Sequence, residues 1–315
     1  MTRYIVLGAG PIGRAVTSRL LADGHAVAVV TRSGTAVPGA DAVAMAGDDP
    51  ALRGVLHGAA GVVIATNPPY HRWRAAWPPL LRNVIAAAEA SRSDVVLVGN
   101  LYGYPPGVVM TASEPLRPTT RKGAVRAALW EELLAAHRAG RVRATEIRAS
   151  DYTGPEALTT DGAHAGRRLV APVLKGRTAS VFGQPDAPHS WAAVGDIAAT
   201  VTAALGSDQA WGRPWVVPTA EPRSLREIAS AIALAAGAPE PRLKRMPDAL
   251  LLAGAIFSPM VRELFEMRSQ HDEPFLCDGA ETTELLGVSA TPWSEIIDAM
   301  VTAARASQPA PAARV

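Results

Sequence analysis

The run Gly8-Ala9-Gly10-Pro11-Ile12-Gly13 constrains this chain more than any other feature, because it stands directly after the apolar stretch Tyr4-Ile5-Val6-Leu7 and directly before a helical pattern. A strand that enters a glycine-rich turn and leaves as a helix gains a tight turn, a backbone that an anionic ligand can approach, and close packing of helix on strand. The unpaired amides of the new helix face such an anion. Pro11 suits the first helical turn, where a missing N–H costs nothing. Ile12, Ala15, Val16 and Leu20 then fall on one helical face. A glycine loop also serves as an ordinary turn, but the strand before it and the helix after it favour a dinucleotide cradle formed by Gly8, Gly10, Pro11, Ile12 and Gly13.

Short apolar runs at 4–7, 26–30, 42–46, 61–66, 94–98 and 143–148 alternate with helical patterns after Pro11, at 78–90 and at 123–139. That rhythm predicts an α/β fold with a doubly wound parallel sheet covered by helices on both faces. After Arg148 the texture changes: Gly154-Pro155, Gly183-Gln184-Pro185 and Pro188 break the chain before helical patterns return at 195–205 and 224–236. The expected organisation is a dinucleotide-binding domain over 1–150 and a smaller, mainly substrate-binding lobe over 151–306. Segments 195–205 and 214–217 are apolar enough to return to the first sheet, and the Ala/Pro-rich 307–315 is expected to be a disordered tail.

With 315 residues, 48% of them hydrophobic, the chain can bury one large core or two coupled ones. Lys and Arg number 31 against 29 Asp and Glu, so a net charge of +2 offers no electrostatic footprint for nucleic acid. A single cysteine, Cys277, excludes an internal disulfide and a CxxC pair, which favours a reducing, cytoplasmic setting. Met1-Thr2-Arg3 leads straight into the first strand and is read as leaving no room for a signal peptide. The apolar stretch Ala249–Phe257 is far shorter than the roughly 20 residues that cross a bilayer. The seven histidines are scattered, without HExxH, so no metal is expected, and no G-x-S-x-G elbow appears.

The second strand ends in Thr31-Arg32-Ser33, where an NAD-preferring site carries Asp or Glu about 20 residues beyond the glycines. Arg32 suits a 2′-phosphate, with Thr31 and Ser33 adding hydrogen bonds, so NADP is expected over NAD, which stays as the alternative. Asp48, Thr66-Asn67-Pro68 and Gly99-Asn100 stand at further strand ends, where ligands of such sheets bind. Asp48 suits the adenine amino group, and Asn67 and Asn100 the ribose and nicotinamide side. Each also suits a cap or a turn. Tyr70, Trp73 and Trp77 form an aromatic group that either gates a ligand or packs a helix.

These motifs together resemble the extended short-chain dehydrogenase/reductase superfamily, in its NAD-dependent epimerase/dehydratase branch and particularly its atypical members. The likeness rests on the glycine motif, Val98-Gly99-Asn100, Arg148 to Pro155, Pro188 to Asp196, Asp272-Glu273-Pro274-Phe275, Leu286-Gly287 and Thr291-Pro292-Trp293. It implies a Rossmann-type domain, a nicotinamide cofactor, and reduction, oxidation, epimerisation or dehydration of a small molecule. It also implies a Ser/Thr and a Tyr-x-x-x-Lys pair that move a proton to or from the substrate oxygen, and it assigns Tyr152 and Trp191 to the substrate side. A homodimer through two helices is ordinary for the superfamily, though no residue here demands one.

The chain departs from that machinery. Asn100 stands where Ser/Thr belongs, and aligning Glu131 with the helix glutamate of the resemblance puts Gly123 at the tyrosine and Ala127 at the lysine. Candidate substitutes are Asn100, Tyr102, Tyr104 and Lys122, with Arg126 beside them. The expectation is an NADP-dependent oxidoreductase or epimerase/dehydratase-like enzyme with a non-standard proton relay. The alternatives are a catalytically idle NADP-binding sensor or regulatory protein, and a non-redox enzyme on the same fold.

Overall fold

The computed structural model describes residues 1–249, 252, 254 and 259–307. The first half alternates as the apolar rhythm predicts: β1 (Arg3–Leu7), α1 (Pro11–Ala22), β2 (Ala26–Thr31), β3 (Asp41–Ala44), α2 (Leu52–Leu56), β4 (Gly61–Ile64), α3 (Trp73–Ser91) and β5 (Asp94–Asn100). The short β6 (Val109–Met110) is followed by α4 (Arg121–Arg138) and β7 (Ala144–Ala149). Then come β8 (Tyr152–Thr153), α5 (Arg167–Leu174), β9 (Ala179–Val181), β10 (Ala192–Ala193), α6 (Val194–Leu205), β11 (Pro214–Val216), α7 (Leu225–Ala236), β12 (Leu243–Arg245) and β13 (Leu276–Cys277).

Seven strands form one sheet in the order β3-β2-β1-β4-β5-β7-β11, with every neighbouring pair parallel. Strand order reverses between β1 and β4, and in such sheets that switch opens a ligand crevice beyond the carboxyl ends of the strands. Side-chain alternation divides the core. Ile5, Leu7, Ile64 and Leu97 face one cluster with Leu52 of α2, Trp77 and Leu81 of α3 and Leu133 of α4. Val6, Val29, Val63 and Val96 face the other, with Val16 and Leu20 of α1 and Ile197 and Val201 of α6. Because both faces are covered, central strands such as Gly61–Ile64 are buried throughout and read as unbroken apolar runs.

The chain leaves this sheet after β7 and comes back to it. α6 packs on α1, and β11 pairs with β7 at the sheet edge. The smaller lobe has its own core, in which Leu169, Val173, Trp191, Ile228, Ile232, Ile296 and Met300 meet. Its helix α7 opens with a reciprocal cap between Ser224 and Glu227.

Several boundaries differ from the sequence reading: β3 ends at Ala44 rather than 46 and β5 runs on to Asn100, and β4 and α3 differ for identifiable reasons. β4 stops at Ile64 rather than 66: the Ala65 N–H still bonds the Leu7 carbonyl at 3.0 Å, but Gly8 then packs against the Ala65–Thr66 backbone and ends the ladder. α3 starts at Trp73, well before 78, and carries Pro78 and Pro79 inside it. Prolines there forfeit helical hydrogen bonds, and the burial of Trp73 and Trp77 offsets that loss. Most of Ala249–Phe257 and the expected tail from residue 308 lie outside the described residues. Among the described residues no helix is long and apolar enough to cross a membrane.

Candidate functional site

At the nucleotide end each glycine of the motif answers to a different atom. Gly8 has φ +112°, and a Cβ there would lie 2.7 Å from the Ala65 carbonyl oxygen. A Cβ on Gly13 would run into the Gly8 carbonyl oxygen, so only glycine lets α1 sit this close to β1. Gly10 is the N-cap of α1, and nothing lies within 4 Å of where its Cβ would be. No side chain caps α1 and no acid stands in its first turn. The amides of Ile12 and Gly13 therefore have no intrahelical acceptor, beside an open glycine and at the positive end of the helix dipole. This arrangement fits a diphosphate.

Beyond β2, the Thr35 N–H donates to Thr31 Oγ1 at 2.7 Å, and the Ser33 and Thr35 hydroxyls lie 2.8 Å apart. Those contacts shape a turn that leaves Arg32 exposed, with no hydrogen bond or ion pair among the described residues. Asp48 is exposed in the turn after β3. Past β4, Thr66 is half-buried and Asn67 exposed, while the Pro68 carbonyl accepts the Trp73 indole N–H at 2.8 Å. Gly99 is placed differently from the expectation. It is buried, and a Cβ there would run into the Glu146 carboxylate of β7, so strand packing accounts for this glycine.

The catalytic expectations sort in the same way. Asn100 Oδ1 accepts the Tyr102 N–H at 3.2 Å, a local turn that carries the chain to Tyr102. The Tyr102 and Tyr70 hydroxyls lie 2.9 Å apart, and the Tyr102 ring stacks on Trp73 at 6.1 Å. Burial, reinforced by the charges of Tyr70 and Asp151, holds the Tyr102 phenol well above its usual pKa. Burial raises Tyr70 and Tyr152 as well, and both also feel Asp151, so three protonated phenols and one carboxylate share a neighbourhood. Arg126 lies against the faces of Trp73 and Trp77 at 4.6 and 4.5 Å and reaches Asn67 Oδ1 at 3.4 Å. The two tryptophans are core residues of α3.

Tyr104 and Lys122 are committed elsewhere. The Tyr104 hydroxyl donates to the Thr111 carbonyl at 2.6 Å and accepts from Arg148 at 2.6 Å, and Arg148 in turn binds Glu146 at 2.6 Å. That closed chain leaves Tyr104 no proton to offer. Lys122 Nζ does lie 5.7 Å from the Tyr70 ring, but it is buried and paired with both Glu263 and Glu266 of the helix Pro259–Glu266. Its charge is already neutralised. Gly123, at the position aligned with the superfamily tyrosine, has no room for any side chain, because a Cβ would run into the Tyr102 carbonyl oxygen. Ala127 is buried. Of the two residues expected beside a substrate, Tyr152 is half-buried, whereas Trp191 is 1% exposed and donates its indole N–H to the Arg223 carbonyl at 2.7 Å. Trp191 is part of the small lobe's core.

Folding also gathers what the sequence scatters. His164, His189 and His271 converge around Asp151, with Trp191 stacked on His164 and tilted over His189. Burial pushes His271 down to about 4 and His164 well below its usual value, so both imidazoles are neutral at pH 7. Burial alone would raise the Asp151 carboxyl, but the three histidines more than reverse this and hold it below the usual range. These residues come from three distant segments, so no local spacing announces them. The sole signal was that Asp151 and His189 stand in two of the motifs that carry the family resemblance. Burial pushes the Cys277 thiol up to about 11, which makes it a poor nucleophile.

The chain resembles solved sugar-nucleotide enzymes along nearly its full length. UDP-N-acetylglucosamine 4-epimerase from Bacillus cereus matches with a TM-score of 0.78 at 15% identity over 99% of both chains. UDP-glucose 4-epimerase from Thermus thermophilus, in complex with NAD, matches with a TM-score of 0.77 at 20% identity over 98% of this chain and 100% of that one. dTDP-glucose 4,6-dehydratase from Bacillus anthracis str. Ames, also with NAD, matches with a TM-score of 0.78 at 13% identity over 98% of both chains. At these identities the likeness is one of fold. No curated protein matches the sequence. The model of the NAD dependent epimerase/dehydratase family matches residues 4–217, more than half of the chain, and the protein belongs to that family of short-chain dehydrogenase/reductase-type enzymes.

Proposed function

We propose that this epimerase/dehydratase-family enzyme prefers NADP and acts on a small hydroxyl or carbonyl compound, with a proton relay built on Tyr102 and Tyr70. The observation that carries the reading is the uncapped start of α1 beside Gly10, followed by the unpaired Arg32 where an NAD site would place a carboxylate. The Ile12 and Gly13 amides would hold the diphosphate, and Arg32 the 2′-phosphate, with the Thr31 and Ser33 hydroxyls beside it. Asp48 would accept from the adenine amino group, and Thr66, Asn67 and Pro68 would border the ribose. When bound, the nicotinamide supplies hydride exchange with a carbon bearing oxygen.

The chain's own part is the proton. Tyr102 is a phenol and is protonated at neutral pH, burial raising its pKa further, and the Tyr70 hydroxyl at 2.9 Å can return a proton to it. Asn100 would orient the substrate oxygen, and Tyr152 would border the substrate. A cleft lined by Tyr102, Pro106, Thr120, Gln270 and Phe275 reaches the same tyrosine. A second reading, an idle NADP-binding sensor, draws support from Gly123 and Lys122. The first leaves no room for the superfamily tyrosine, and the second has its charge taken by two glutamates.

Fluorescence titration with NADPH and NADH tests the cofactor assignment. Tighter NADPH binding is expected, and Arg32→Ala should weaken it about tenfold or more without affecting NADH. Gly10→Trp should abolish both. Failure of the parent protein to bind either nucleotide would overturn the reading. Consumption of NADPH with a panel of carbonyl compounds, slowed by Tyr102→Phe at unchanged NADPH affinity, separates the enzyme from the sensor.

A further inference from the structure

The nucleotide reading leaves one buried group of donors unused. Asp151 lies two residues beyond β7, His189 just before β10, and His271 in the short helix Ser269–Asp272. Asp151 Oδ2 is 3.3 Å from His189 Nε2 and 3.9 Å from His271 Nδ1, and the three atoms all lie within 4.8 Å of one another. All three atoms are buried; Asp151 Oδ2 and His189 Nε2 meet at ion-pair distance without well-aligned hydrogen-bond geometry, and His271 Nδ1 has no hydrogen-bond partner. Three polar atoms turned toward one another and only partly paired carry a desolvation cost that a shared ligand would reduce.

The scaffold behind them is fixed. The Gln184 N–H donates to the His271 carbonyl at 2.8 Å, and Gly183, at φ +77°, lacks the Cβ that would run into the His271 backbone. On the other side, Phe275 N–H donates to the Pro188 carbonyl at 3.0 Å and Ser190 N–H to the Phe275 carbonyl at 2.9 Å, gripping His189 between them. The side chains of His189 and His271 are 5% and 11% exposed, while Asp151 at 20% keeps a face toward solvent. The backbone that carries the donors is fixed, and the part of the group nearest solvent is the Asp151 side chain.

We propose that Asp151 Oδ2, His189 Nε2 and His271 Nδ1 bind a divalent transition-metal ion of the zinc class, with a fourth position open to water or a substrate oxygen. Two imidazoles and one carboxylate suit such an ion and disfavour magnesium or calcium, which take oxygen ligands. Metal–ligand bonds of about 2.0–2.2 Å place the donors of a tetrahedral site about 3.3 Å apart. The Asp151–His189 edge already has this spacing, the Asp151–His271 edge needs to close by about half an ångström, and the His189–His271 edge, within 4.8 Å, by up to about 1.5 Å. The ion would sit beyond the carboxyl end of β7, next to Tyr152 and distinct from the glycine loop.

Calorimetric titration of the tag-free, chelator-treated full chain with zinc chloride tests the site, together with visible absorption after cobalt(II) loading. One zinc per chain is expected, with cobalt ligand-field bands. His271→Gln and Asp151→Asn should each weaken zinc binding at least about 100-fold while thermal unfolding stays cooperative and NADPH affinity is unchanged. A folded parent that takes up no stoichiometric zinc overturns the proposal. So do variants that bind zinc like the parent, since His25, His57, His71 or His137 would then be the source. If His271→Gln does not fold, His271→Asp keeps a donor in place, and a cobalt spectrum identical to the parent's would equally overturn the assignment. NADPH titration of the same samples reports separately on the nucleotide site.

Discussion

α1 and α4 both begin beneath a crossing loop, and each has a glycine whose Cβ would strike a carbonyl of that loop: Gly13 against Gly8, and Gly123 against Tyr102. Their amides are treated in opposite ways. α1 has no side-chain cap and no acid in its first turn. At α4, Thr120 accepts the Gly123 N–H at 3.0 Å, and Glu266, from a helix far along the chain, accepts the N–H groups of both Arg121 and Lys122. One helix start is left for an external anion, and the other is filled by an internal one. The positive end of a helix favours a carboxylate as readily as a phosphate, so which helix binds a ligand is decided by what the rest of the chain withholds.

The largest effect should come from filling the two glycines. Gly123→Tyr, which restores the superfamily residue, and Gly13→Ala both force backbone apart and should cost about 4 kcal/mol or more, or prevent soluble expression. Gly10→Ala should stay within about 1 kcal/mol of the parent, because its φ of −73° is ordinary and the space around it is empty. Urea unfolding of the three variants measures the contrast, and a stable, active Gly123→Tyr protein would break it.

Next comes the ion pair at the start of α4. Lys122→Met leaves Glu263 and Glu266 facing each other without a cation and should cost roughly 3 kcal/mol. Adding Glu263→Gln and Glu266→Gln should recover most of that loss in the same unfolding assay. If Lys122→Met instead unfolds like the parent while turnover collapses, Lys122 acts in the reaction.

Capping gives a smaller, two-sided test. Thr120→Ala should cost about 1 kcal/mol by removing the cap of α4, whereas Gly10→Asp should change stability by only a few tenths of a kcal/mol. Gly10→Asp should nevertheless weaken NADPH at least about tenfold, because it places a carboxylate where the diphosphate is expected. The smallest effect is acid sensitivity. Burial raises the Glu266 carboxyl, but Lys122 and the two amides outweigh burial and leave its pKa below the usual 4.5. Its contribution is therefore complete above pH 4.5 and is lost as pH falls through the depressed value. Stabilities of the parent and Glu266→Gln should differ by under about 1 kcal/mol at pH 7 and converge as pH falls through the depressed Glu266 value.

The α/β class, the parallel sheet and the glycine cradle were legible because each depends on residues close in sequence. β1 alternates Ile5 and Leu7 against Val6 across the sheet, and the glycines answer to backbone within one turn or on the adjacent strand. The early start of α3 was hidden because Pro78-Pro79 looks like a helix start, and only tertiary burial of Trp73 and Trp77 outweighs it. The roles expected of Tyr104, Lys122 and Trp191 failed to anticipate Thr111 and Arg148, Glu263 and Glu266, and the small-lobe core. Nothing in the spacing of Asp151, His189 and His271 signals that they meet. A candidate built on one turn is read from one turn; one built from distant segments needs the fold.

The return of the chain after β7 bears on how such a protein can be inherited. β11 finishes the edge of the large sheet, and α6 packs beside α1 on the same sheet face, yet both are encoded after the start of the small lobe. A recombination event that exchanged everything beyond residue 150 would strip β7 of its neighbour and bare the apolar side of α1. Exchanging the small lobe alone would therefore have to leave α6 and β11 with the large sheet, although both are encoded beyond its start.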